Sequence, residues 1–271
     1  MSFERPVSFG YKHVSPAEKQ RLVGDVFESV AERYDLMNDL MSLGTHRLFK
    51  RMTIEMSGVS EGNAVLDLAG GTGDLARLFA PVVGNSGCVV LADINGAMIK
   101  VGRERLLNQG QAQVRFCETS AEALPFANDS FNCTTIGFGL RNFTDKNLAL
   151  VEVLRVLRPG GALLILEFSK PTNPLVEAAY GAFQSLWPGM GKLVAGNAES
   201  YRYLVESIRV HPNQKALKLM MEDAGFIDVE YHNLLGGTLA IHRGVKSGAI
   251  RPVTSRSRNS PAREENAGAS P

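Results

Sequence analysis

No stretch of this 271-residue chain approaches the ~18 consecutive apolar residues that crossing a bilayer requires. The opening residues, MSFERPVSFGYKHV, lack the apolar centre and small-residue cleavage site of a secretory signal, and they are not an Arg/Ser-rich amphipathic leader. Charge of one sign is equally scarce. The formal net charge is +1, so no global field draws the protein onto nucleic acid, although a local patch stays open. The three cysteines, Cys88, Cys117 and Cys133, stand far apart, with no C-x-x-C pair and no Cys/His cluster. They read as small buried hydrophobes in a reducing compartment, and no metal site is expected. Together these absences predict a cytoplasmic protein whose only membrane contact is peripheral.

What is present is an ordinary soluble composition, 44% apolar and 21% charged, at a length that suits one large α/β domain. Short apolar runs at Ala64–Leu68, Cys88–Ala92, Val114–Cys117, Cys133–Ile136 and Ala162–Glu167 read as buried parallel strands. Between them, Asp74–Val82, Ala97–Leu107 and Lys146–Leu157 carry helical spacing. The alternation predicts an α/β fold, a mainly parallel Rossmann-like sheet covered by helices on both faces. Asp228–His232 and Thr238–His242, separated by Gly236-Gly237, read as a hairpin that gives the sheet an antiparallel last strand. Residues 18 to 56 and 169 to 211 exceed a minimal sheet domain. Both are placed to roof the carboxyl edge of the strands, where ligands bind in such folds. The last 25 residues are rich in Ser, Pro, Gly, Ala and Arg and read as a disordered tail. Their four Arg against two Glu account for the small positive total.

The strongest local signal is DLAGGTGD, Asp67 to Asp74, directly after a strand and before a helix. Glycines let the backbone turn sharply and approach a ligand, and the following helix end offers free N–H groups and a positive dipole. Such a loop alone serves NAD, FAD or S-adenosylmethionine. The dinucleotide spacing G-x-G-x-x-G is absent, because residue 76 is Ala. Asp67 precedes the loop where the dinucleotide fingerprint is usually apolar. Asp93 ends the second strand about 20 residues on, where a carboxylate can take both ribose hydroxyls. These details favour S-adenosylmethionine, held by Gly71, Thr72, Gly73 and Asp93. Ser120 and the Ala121 backbone face the adenine edge, and Gly137 lies beside the methionine arm. Ser120 equally reads as the cap of a turn into a short helix.

Two longer strings are more specific. YDLMNDLMSLGTHRLF, from Tyr34 to Phe49, and RVLRPGGALLILEFS, from Arg155 to Ser169, resemble the two signatures of the ubiquinone/menaquinone biosynthesis C-methyltransferases. GFGLRN (Gly137–Asn142), EFSKP (Glu167–Pro171) and SYRYL (Ser200–Leu204) also match that family's pattern. The resemblance spans about residues 10 to 246. Phe49 stands where the family usually has Trp, Gly137 where many members have Ser, and the tail extends past the usual end.

The resemblance implies a class I methyltransferase fold, with a helical cap at 1–62, the catalytic domain at 63–246 with a helical insertion at 169–211, and the tail at 247–271. It also implies methylation of a ring carbon on a polyprenyl hydroquinone, either demethylmenaquinol or 2-methoxy-6-polyprenyl-1,4-benzoquinol. Arg141 would stabilise the developing phenolate while water carries the proton, since an Arg pKa above about 12 makes it a poor base. Asn142 would orient the ring oxygen or that water. Tyr34, with Asp35 and His46, would complete the site from the cap; Tyr34 also reads as cap packing, and His46 as a helix-surface residue. Leu175–Leu186 suits either a channel for the isoprenoid tail or plain core. Peripheral membrane contact, a homo-oligomer and a quinone-biosynthesis complex all remain open. A sterol or phospholipid methyltransferase, or a non-catalytic S-adenosylmethionine-binding subunit, is the alternative reading.

Overall fold

The computed structural model of the chain describes residues 6–30, 39, 42, 44–195 and 198–248. Tyr34, Asp35 and nearly all of the expected tail lie outside the described residues. A short antiparallel hairpin, β1 (Val7–Phe9) and β2 (Lys12–Val14), leads into α1 (Pro16–Val30), and α2 (His46–Ser57) precedes the sheet. The expected helical cap did not include this hairpin, which lies before residues 18 to 56. Three-residue strands are too short to show a period-2 pattern, so the hairpin leaves no sequence signal.

Strand β3 (Ala64–Leu68) starts the main sheet, followed by α3 (Asp74–Val83), β4 (Cys88–Asp93), α4 (Gly96–Asn108), β5 (Val114–Glu118), β6 (Phe131–Gly137), α5 (Lys146–Val156) and β7 (Leu157–Phe168). Helices α6 (Pro174–Ala195), α7 (Ala198–Val210) and α8 (Gln214–Asp223) lead to β8 (Phe226–Leu234) and β9 (Leu239–Lys246). The sheet order is β5-β4-β3-β6-β7-β9-β8. The first five of these strands run parallel, and β9 is antiparallel to both β7 and β8. This is the mainly parallel α/β sheet with an antiparallel last strand that the sequence pattern predicted. The chain winds outward from β3 in both directions, so the loops after β3 and β6 part at the carboxyl edge and leave a crevice.

The strands are apolar on both faces because both faces are covered. Val65, Leu91 and Leu164 pack on one side with Phe49, Phe79 and Leu204. Leu66, Val90 and Leu163 pack on the other with Leu150, Val153 and Leu217. Each fully buried Leu or Phe contributes about 1.5–3 kcal/mol. Phe49, at the position where a Trp was expected, is part of this core.

Helix α6 divides the Leu175–Leu186 segment by face. Leu175 and Leu186 are 80% and 59% exposed, whereas Gln184 and Trp187 are buried. Tyr180 and Phe183 pack against the core, as the plain-core reading expects, while the two terminal leucines point outward. Among the described residues no helix is long and apolar enough to cross a membrane. The three cysteines are unpaired; Cys133 is buried, and burial pushes its thiol up to about 12.

Candidate active site

The glycine loop is held by two carboxylates. Asp67, on the buried end of β3, accepts from the Ala76 N–H at 2.9 Å and from the Thr135 hydroxyl at 3.2 Å. Ala76 lies in the first turn of α3, whose N-cap is Gly73 and has no side chain to offer. Asp67 therefore does the capping from a neighbouring strand, a contact of a kind worth roughly 0.5–2 kcal/mol. Gly73 cannot be replaced cheaply: its φ is 84°, and a Cβ there would come within 2.8 Å of Leu91 and Leu106. Asp93, at the end of β4, accepts from Gly71 N–H and Asn95 N–H, both at 2.9 Å. Burial raises the Asp93 carboxyl above its usual range, and those N–H groups pull it partly back.

The crevice beside this loop offers about 750 Å³ of space, its open mouth included. Its walls are Gly71, Asp93, Ile94, Asn95 and Met98 on one side, Thr119, Ala121 and Glu122 on a second, and Phe138, Gly139, Asn142 and Phe143 on a third. Gln20, Val23, Gly24 and Phe27 of α1 roof it. Two hydrogen bonds pin that roof: the Lys19 ammonium donates to the Phe143 carbonyl at 2.7 Å, and the Asn95 amide donates to the Gly24 carbonyl at 3.3 Å. Burial, helped by Lys146, brings the Lys19 pKa down to about 8. Among the described residues the charged lining of the crevice is Asp93 and Glu122, with no Lys or Arg. Such a lining suits a nucleoside that carries positive charge and disfavours a pyrophosphate.

Behind the loop lies a smaller space lined by Lys50, Asp67, Gly70, Thr72, Asp74 and Gly137. Lys50 donates to Asp74 at 2.6 Å, and Arg105 reaches the other Asp74 oxygen at 3.1 Å. Burial works against the Asp74 carboxylate, but these cations outweigh it and hold the group below its usual value. A Cβ on Gly137 would come within 2.8 Å of the Leu75 side chain, so a serine there requires Leu75 to move.

The expected residues fall into three groups. Gly71, Asp93, Ala121 and Asn142 line the main crevice, and Thr72 and Gly137 line the smaller space. Gly73 caps the helix between them. Ser120 turns its hydroxyl to Glu122, and no helix follows it, because Pro125 interrupts the segment. Arg141 is not on the crevice surface; it is buried against Glu167, with Nη1 to Oε1 at 2.8 Å, and also donates to the Phe138 carbonyl. His46 is buried instead of lying on the helix surface, bonded to the Ser42 hydroxyl at 2.8 Å, and burial together with Lys50 lowers its pKa. A roof from residues 18 to 56 was expected, but its contact residues Gln20, Val23, Gly24 and Phe27 were missed, as was Glu122, which also accepts from Thr144 N–H at 2.9 Å. Glu122 stands inside the SAEALPF segment, where its nearness to Ser120 was the available signal.

Asp67 is titratable at neutrality. Burial lifts its pKa from 3.8 to about 7 against the pull of Ala76 N–H and Thr135. The folded state thus holds a proton that the unfolded state releases, and stability should fall by on the order of 2–4 kcal/mol as pH rises from about 4 to about 7. Asp67→Asn keeps an acceptor for Ala76 and should flatten that slope. Urea melts across this pH range will check it, and a slope unchanged in the variant refutes the assignment.

The ubiE/COQ5 methyltransferase family model matches residues 14–246. The ubiquinone/menaquinone biosynthesis C-methyltransferase UbiE of Stutzerimonas stutzeri is 59% identical over 245 residues, covering 90% of this chain and 96% of the relative. UbiE of Pseudomonas syringae pv. tomato matches with the same identity and coverage. Among solved structures, a SAM dependent methyltransferase from Aquifex aeolicus aligns with a TM-score of 0.55 at 16% identity, over 86% of this chain and 99% of that one. A Haemonchus contortus phosphoethanolamine N-methyltransferase 2, solved with S-adenosyl-L-methionine, aligns with a TM-score of 0.56 at 17% identity, over 73% of this chain and 52% of that one. These structures establish the class I methyltransferase fold, and the sequence match establishes kinship: the chain belongs to the ubiE/COQ5 methyltransferase family.

Proposed function

We propose that this chain transfers a methyl group from S-adenosylmethionine to a ring carbon of a polyprenyl hydroquinone, in the formation of menaquinone, ubiquinone or both. The observation that carries the reading is the 59% identity, over 90% of the chain, with ubiquinone/menaquinone biosynthesis C-methyltransferases. The residues of the crevice fit the donor. Asp93 offers carboxylate lone pairs to a ribose diol, Ile94 and Met98 offer apolar surface to a purine, and the acidic lining favours a sulfonium. Bound there, S-adenosylmethionine supplies a methyl group already activated by its sulfonium.

The chain's own work is to hold, orient and exclude water. We assign donor binding to Gly71, Thr72, Gly73, Asp93, Ser120, Ala121 and Gly137. Asn142, fixed by the Tyr203 hydroxyl at 2.9 Å, presents its amide at the crevice wall to orient a ring oxygen. Arg141 lies just behind and lowers the cost of a developing phenolate; the proton passes to water, because a guanidinium is a poor base. Tyr34 is assigned to the same site from the sequence pattern. Aligning donor and ring in a closed crevice contributes several powers of ten in rate, and positioned proton transfer about 10²–10⁴. We read residues 63–246 as the methyltransferase domain with its insertion at 169–211, 1–62 as a cap and 247–271 as a tail. The exposed Leu175 and Leu186 on α6 support peripheral contact with a membrane that holds the isoprenoid tail.

The purified chain, given S-adenosylmethionine and short-tailed hydroquinones, should yield a product heavier by one methyl group on mass analysis; no methylated ring with either quinol type refutes the proposal. Asp93→Ala should weaken donor binding roughly 10-fold or more by calorimetry, and unchanged affinity removes the ribose assignment. Arg141→Ala would leave Glu167 buried and unpaired at a cost of about 3–5 kcal/mol, so Arg141→Lys is the better probe. It should keep the fold and donor affinity while kcat drops about 10²-fold. Wild-type turnover in this variant would dismiss the phenolate role. Leu175→Glu with Leu186→Glu should abolish co-sedimentation with quinone-containing vesicles, and a wild-type chain that never pellets removes the membrane contact.

A further inference from the structure

Helix α6 packs Tyr180, Phe183 and Trp187 against the core yet carries leucines outward and polar atoms inward. Leu175 and Leu186 face solvent, while Tyr180, Gln184 and Trp187, spaced i, i+4, i+7, share the inner face. The Gln184 amide nitrogen, the Trp187 indole nitrogen and the Arg141 Nε beside them are buried with no well-formed hydrogen bond, and the Tyr180 hydroxyl is buried against the Gln184 side chain. All four are donors. They belong to one cluster. Trp187 stands edge-on to Phe168 at 6.1 Å and to Tyr180 at 6.4 Å, and the Arg141 guanidinium lies over the Phe168 ring at 5.5 Å. Burial raises the Tyr180 hydroxyl above its usual range, against the pull of the Gln184 side chain and of Arg141, with Glu167 adding to the rise. Phe138, 5.1 Å from Phe168, is part of the crevice wall, so the donors begin where the donor-substrate crevice ends.

Native proteins pair nearly all their buried polar atoms. A group of donors short of acceptors, next to a catalytic crevice, is complementary to a ligand that brings acceptors. We propose that Tyr180, Gln184 and Trp187 form the wall that reads the oxygen substituents of the acceptor ring, with ring hydroxyl, phenolate or alkoxy oxygens accepting from these three groups. Donors short of acceptors also weaken the packing of α6 on the sheet, which eases the helix aside when the ring enters. This inference rests on the hydroquinone reading above and adds the residues that select among such rings.

Tyr180→Phe and Gln184→Leu separate recognition from packing. Each replaces a buried polar group whose hydrogen bonding the folded chain leaves incomplete by an apolar one of similar shape, which relieves a desolvation cost in the ligand-free chain. The expected result is a Tm unchanged or raised, donor affinity by calorimetry unchanged, and kcat/KM for the hydroquinone lowered roughly tenfold or more, mainly through KM. Preference between an alkoxy-bearing ring and one without that group should shift as well. Wild-type acceptor kinetics at a raised Tm would reduce the cluster to packing, and a lowered Tm would show that the groups have partners within the protein. Either outcome overturns the proposal. A wild-type chain that methylates no hydroquinone removes the acceptor reading and the wall together, whereas an active wild type matched by both variants removes only the wall.

Discussion

The buried carboxylate of Asp67 and its bond to the Ala76 N–H bind the first strand of the sheet to the first turn of the helix beyond the glycine loop. Gly73 favours glycine, because its backbone is left-handed and a Cβ would press on the Leu91 and Leu106 methyl groups. A helix that begins on glycine has lost its own cap, so its first turn needs an acceptor from elsewhere. Asp67 provides it from β3, at the cost of a carboxyl that titrates near neutrality. Once that bond is made, the loop's course is set, and Asp93 fixes its middle through Gly71. The position of the crevice, its acidic lining and the docking of α1 all follow from where this loop lies.

Charge divides the site. Acidic groups face the crevice, and three nearby cations are engaged in an ion pair or bonded to a carbonyl: Lys50 on Asp74, Arg141 on Glu167, Lys19 on the Phe143 carbonyl. A cleft lined in this way attracts a cationic donor, and among the described residues its lining has no Lys or Arg to hold phosphate. The buried Arg141–Glu167 pair is nearly neutral as a unit, which makes its burial tolerable. Its unpaired Nε nevertheless keeps one donor available where the crevice meets α6.

Helix α6 joins chemistry to surroundings. An ordinary surface helix turns apolar residues inward and polar ones outward. Here the ends of the outer face are leucine, and the inner face buries hydroxyl, amide and indole groups whose hydrogen bonding is incomplete. Both departures fit an acceptor with an oxygenated ring and a long apolar tail, the ring inside the helix and the tail beyond it.

The sequence by itself determined the sheet, the loop and the family. Strands such as AVLDL and CVVLA are buried on both faces, and that leaves an apolar run visible in one dimension. The turn glycines and the two strand-end aspartates are local chemistry, legible within about 30 residues of chain. Tertiary structure alone decided what depends on distant contacts. The placement of α1 over the crevice rests on two hydrogen bonds spanning 71 and 124 residues. The burial of Arg141 depends on Glu167 in the adjacent strand, and that of His46 on packing around α2. The direction faced by Tyr180, Gln184 and Trp187 depends on which side of α6 meets the sheet. Periodicity marks a face as apolar or polar but cannot say which way a helix of mixed faces will turn, since that is set by the neighbours it packs against.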